Sequence, residues 1–200
     1  MTRKISKLAG ALLTLLAVPA MAFAHTGVGE TTGFMHGFGH PISGLDHILA
    51  MVMVGVFAFQ LGGRALWLVP STFVLVMAVG GAFGVMDVAV PFVETGIALS
   101  AIVLGAIVAF GIKAAVAVAM GIVGLFAIFH GHAHGAEMPE DAGGVAYAAG
   151  FMVATALFNV AGIAIGFVVG KASERSGRIV TQAAGGIAAI AGVGLLTGLL

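Results

Sequence analysis

Residues 93–129 of this chain carry two charges, Glu94 and Lys113, and are otherwise almost wholly apolar. As a single helix that stretch would extend roughly 55 Å at 1.5 Å per residue. The hydrocarbon core of a bilayer is only about 30 Å thick. A run this apolar and this long must fold back on itself. Gly111 and Lys113 mark the break, so the stretch predicts two crossings joined by a tight hairpin. The rest of the chain agrees. Hydrophobic residues make up 60% of its 200 residues and charged ones 8%, whereas a soluble domain carries about 25% charged residues. So little polar surface cannot face water on all sides. The predicted fold class is an all-α integral membrane protein.

The N-terminus reads as a targeting segment. Arg3, Lys4 and Lys7 precede the apolar stretch "LAGALLTLLAV", and "MAFA" follows with small residues at Ala22 and Ala24. This pattern predicts a signal peptide over residues 1–24 and a membrane domain over residues 25–200. Six spans are expected, near Pro41–Leu61, Ala65–Met86, Thr95–Ile112, Ala114–His130, Val145–Val169 and Ile179–Leu200. With the mature N-terminus outside, Arg64, Lys113, Lys171, Arg175 and Arg178 all fall in inner turns, and no Lys or Arg of the mature chain falls outside. That is the positive-inside pattern. Asp87, Glu94, Glu137, Glu140 and Asp141 gather on the outer side. Both ends of the mature chain are then outside. Gly80 and Gly84, like Gly162, Gly166 and Gly170, are spaced by four and predict close helix packing.

Several chemistries have no footing. There is no cysteine, hence no disulfide or thiolate site, and the net charge is zero, which gives nucleic acid no basic surface. No phosphate-binding GxxxxGK[ST] loop is present, so no nucleotide site is expected. Met51, Met53, Met120 and Met152 could serve as soft thioether ligands near an inner exit, but most of the Met residues are read as lipid-facing or packing residues.

Six of the seven histidines fall in two groups at span ends that this topology puts on one face. The first group is His36, His40 and His47 with Asp46, in "GFMHGFGHPISGLDH". His40 and His47 are seven residues apart, so a continuous helix beginning at Pro41 would bring them to one face. The second is "FHGHAHGAE", residues 129–137. On a helix His130, His134 and Glu137 share a stripe and His132 points away, unless Gly131 and Gly135 unwind the segment. Imidazole and carboxylate suit borderline divalent ions such as Ni²⁺, Co²⁺, Zn²⁺ and Cu²⁺. Cleavage after Ala24 would leave His25 as the first residue, where its α-amine and ring together could chelate a metal. Glu94 opens the third span on the same side and is read as entrance charge or outer-shell support. Asn159 lies midway along the fifth span, where its amide is expected to bond a neighbouring helix or line a path.

"HPISGLDH", residues 40–47, and "FHGHAHGAE" resemble the two signatures of the HupE/UreJ family of nickel permeases, H-x5-D-H and F-H-G-x-A-H-G-x-E. The resemblance implies Ni²⁺ uptake across a bacterial inner membrane, with Co²⁺ as the other candidate cargo. It implies supply of metal for hydrogenase or urease. It also implies metal roles for His40, Asp46, His47, His130, His134 and Glu137. It implies a carrier, not an enzyme, with a divalent ion and the lipid bilayer as its partners. Two other classes fit these residues: a metal sensor or accessory subunit that binds but does not transport, and a membrane enzyme with an intramembrane metal or haem.

Overall fold

The computed structural model describes residues 33–139, 143–172 and 174–200. The expected signal segment and His25 lie outside them. The described residues form seven helices: α1 Gly33–Ser43, α2 Leu45–Leu61, α3 Ala65–Val85, α4 Val93–Phe110, α5 Val116–Ala136, α6 Gly144–Ala172 and α7 Glu174–Leu196. The helices α3 to α7 are each long and apolar enough to cross a membrane, and α1 with α2 makes a sixth candidate, bent by 86°. Large apolar side chains such as Leu75, Leu125, Leu157 and Ile190 face outward from these helices. Water would penalise such a surface and lipid tails do not.

The hairpin at residues 93–129 forms where Gly111 and Lys113 predict it. Gly111 ends α4 with φ +60°, a left-handed conformation that suits glycine. Beyond it, Lys113 donates to the backbone carbonyl of Gln60 at the end of α2.

The first span departs from the expected continuous helix. Pro41 does not open it but sits near the end of α1. Gly44 then takes an extended conformation, φ −102° and ψ 120°, and α2 starts afresh. Ser43 Oγ donates to the His40 carbonyl at 2.6 Å, closing the end of α1. A Cβ at position 44 would lie 2.6 Å from Asp46 Oδ1 and 2.9 Å from His47 Nδ1, so any larger residue there would displace the Asp46–His47 pair. His40 and His47 therefore do not share one helix face. They lie on either side of a corner.

Between helices in lipid there is no hydrophobic drive, so association rests on close packing. Glycines supply it. A Cβ on Gly80 would overlap the Ile128 carbonyl and one on Gly84 the His132 carbonyl, both on α5. From the other side, Gly131 lies against the Met77 carbonyl and Gly135 against the Gly81 carbonyl. Gly55 and Gly162 cross in the same way between α2 and α6, and Gly105 and Gly185 between α4 and α7. Gly166 and Gly170 make room for the Phe59 ring. Gly131 and Gly135 thus do not unwind α5, which runs unbroken to Ala136.

Candidate metal centre

At one end of the bundle the corner between α1 and α2 closes over the last two turns of α5. His130 and His134 are one turn apart on α5 and both are buried. Their neighbours Gly131 and Gly135, turned by about 100°, face α3 instead. That division puts His130 and His134 toward the α1–α2 corner and Gly131 and Gly135 toward α3. The His47 ring lies 4.7 Å from that of His130, at 89°, and 4.9 Å from that of His134. The His40 ring lies 4.9 Å from that of His134. Glu137 caps the end of α5 and reaches back, its Oε2 3.0 Å from His40 Nε2. Two motifs far apart in sequence so form one cluster. One long helix in place of α4 and α5 would have sent them to opposite ends.

Asp46 sits in the first turn of α2, where the helix dipole favours negative charge. Its Oδ1 accepts from His47 Nδ1 at 2.8 Å and from the His47 backbone N–H at 2.7 Å. A carboxylate holding Nδ1–H leaves Nε2 as the lone-pair nitrogen, the usual arrangement behind a metal-binding histidine. His47 Nε2 is buried with no hydrogen-bond partner among the described residues. The same holds for His130 Nδ1 and for both ring nitrogens of His134. Each unpaired buried polar group costs about 1–3 kcal/mol. A divalent ion that accepts nitrogen lone pairs would remove that cost at the bare nitrogen of each ring, so these residues fit a metal. They do not yet form a closed cage: among the described residues no three His, Asp or Glu side chains surround one point at ligand range. The rings of His40 and His134 and of His47 and His130 meet edge to face, and those of His47 and His134 are tilted at 59°.

Aromatic rings line the cluster. Phe151 stacks on His134 at 5.1 Å and 12°, Phe73 lies 5.7 Å from His130, and buried Tyr147 lies 6.4 Å from His40. On α4, buried Ser100 places its Oγ 2.8 Å from His130 Nε2 and donates to the Ile97 carbonyl at 2.6 Å. Motif reading selects neither Ser100 nor Tyr147. The available signals were a hydroxyl in the apolar run "GIALSAIVLG" and the chain's single tyrosine.

Other expected residues are placed apart. His36 is half-buried one turn before His40 on α1. His132 points away from the cluster, its Nε2 donating to the Val88 carbonyl at 2.9 Å. Glu94 is exposed in the first turn of α4. Asn159 is buried on α6, but its amide makes no hydrogen bond among the described residues, so the expected interhelical bond is absent. Its backbone carbonyl packs at Gly55, about 12 Å along α2 from His47 at 1.5 Å per residue.

The comparisons with known proteins agree with these motifs. The family model described as HupE / UreJ protein matches residues 13–195. Protein HupE of Rhizobium leguminosarum bv. viciae is 49% identical over 187 residues, covering 93% of this chain and 95% of that protein. No solved structure matches.

Proposed function

The chain belongs to the HupE/UreJ family, and on that premise we propose that it is a bacterial inner-membrane permease that takes up a divalent transition-metal ion, Ni²⁺ foremost. The single observation that carries this reading is the set of buried imidazole nitrogens on His47, His130 and His134 that have no hydrogen-bond partner among the described residues. His40 and Glu137, the most exposed members, stand at the rim and exchange the ion's first waters. His47, held by Asp46, His130 and His134 then supply nitrogen. Both chain ends and the cluster face the periplasm in this reading, and metal delivered inside serves hydrogenase or urease maturation. His25, as the mature terminus, and His36 extend the capture surface. Asn159 offers the next oxygen along the bundle, its Oδ1.

At the opposite end a cavity of about 450 Å³ is lined by Gln60, Lys113, Arg178 and Thr181, with Phe59 and Phe167 beside them. Two cationic side chains there make a poor resting place for a divalent cation. An ion reaching that end is released rather than held.

No nucleotide motif accompanies the cluster, so the membrane potential supplies the drive. Moving a divalent ion inward gains about 4.6 kcal/mol per 100 mV, twice the ~2.3 kcal/mol of one elementary charge. Ni²⁺ flux into proteoliposomes is expected to rise with an inside-negative potential and to need no ATP. Binding without flux would favour the sensor reading, and a Soret band in the purified protein would favour haem.

Glu94, on the same end of the bundle, adds negative charge to the approach. Exchange to Gln should lower uptake several-fold at low metal concentration and leave the maximal rate near wild type. Unchanged kinetics at every concentration would remove Glu94 from the entrance.

A further inference from the structure

We infer that Ser100 is a positioning residue that fixes the tautomer of His130, so that this histidine meets the ion through Nδ1 and not Nε2. The inference rests on the reading of the cluster as a metal site. A serine hydroxyl has one proton to give. The Ile97 carbonyl, 2.6 Å from Ser100 Oγ, can only accept, so the hydroxyl proton lies on that bond. Toward His130 the serine oxygen is then an acceptor. His130 Nε2, 2.8 Å away, must carry the hydrogen and donate it. A neutral imidazole holds one N–H, which leaves Nδ1 bare. Nδ1 is the His130 nitrogen that is buried without a partner among the described residues.

The pairing mirrors the one on His47. There the carboxylate of Asp46 holds Nδ1–H and frees Nε2. On α5 a helix-bonded hydroxyl holds Nε2–H and frees Nδ1. The two rings are neighbours at 4.7 Å, so one ion would be met by the Nε2 of one and the Nδ1 of the other. Both Ser100 and His130 have no solvent exposure, so water does not compete for either nitrogen. Position 100 therefore favours a residue that accepts at this point while returning its proton to its own helix.

Histidine-¹⁵N NMR of the full-length, metal-free protein in nanodiscs reads the tautomer directly, with the His130→Gln spectrum assigning the signal. Wild type is expected to show His130 as the Nε2–H form. Ser100→Ala should lose that fixed form and bind Ni²⁺ about 10- to 100-fold more weakly, the usual cost of removing an outer-shell partner. Ser100→Thr keeps the hydroxyl and should restore both. An Nδ1–H signal in wild type overturns the inference, even if the Thr variant misfolds. So does a Ser100→Ala variant with unchanged tautomer and affinity. A wild type that binds no Ni²⁺ overturns the metal reading itself, and this role with it.

Discussion

Replacement of Asp46 and His47 together by alanine should abolish metal uptake while the protein still inserts and folds. His47 is the ring that touches both His130 and His134, so its loss leaves the α5 histidines without the contact that joins them to α2. Asp46 is the group that orients it. Asp46→Ala alone should lower affinity by about 10- to 100-fold, the range for a lost carboxylate behind a ligating histidine. Insertion is not at stake, because α2 buries its apolar length from Leu49 to Ala58 independently of these two side chains. His132→Ala is the matched control: the same residue type in the same motif, turned away from the cluster. It should retain uptake within about twofold. Wild-type uptake in the double variant would remove the α2 corner from the route.

Gly131→Val should destabilise the protein by at least the ~1–3 kcal/mol typical of overpacking. The obstacle is not a side chain that can rotate. It is the Met77 carbonyl and the Gly81 backbone nitrogen of α3. Accommodation would need α3 and α5 to move apart along their crossing, which would also pull His130 and His134 out of register with α2. Gly80→Val tests the same contact from α3, where the Ile128 backbone blocks it. Gly121→Val is the control on α5, where an added Cβ has no neighbour within 4 Å among the described residues. It shares the helix-propensity change and lacks the clash. Thermal midpoints in detergent should fall for the first two variants and stay near wild type for the third. Equal midpoints for all three would show that these glycines are not what holds α3 on α5.

Much of this arrangement was legible in the sequence. The break between α4 and α5 follows from length against bilayer thickness. That break puts both histidine groups at one end. The i, i+4 spacing of His130 and His134, and the outward turn of His132, follow from helical geometry alone. The corner at Gly44 was not legible, because a seven-residue spacing of His40 and His47 fits a straight helix equally well. The Asp46 and His47 side chains occupy the space a Cβ on residue 44 would take, a fact visible only once the corner is formed. Ser100 was hidden for a different reason. A serine in an apolar helix commonly bonds its own turn, and nothing local announces that its second valence is taken by a histidine thirty residues on. Asn159 announced a need for a partner, and the fold buries it without one among the described residues.

X-ray absorption at the nickel edge of the purified, Ni²⁺-loaded protein tests most directly whether this cluster is the ion's site. The spectrum should show a nitrogen and oxygen shell with the outer-shell scattering of several imidazoles, and that scattering should weaken in His134→Ala. A sulfur shell from methionine, or a shell of oxygen alone that is unmoved by His134→Ala, would contradict it.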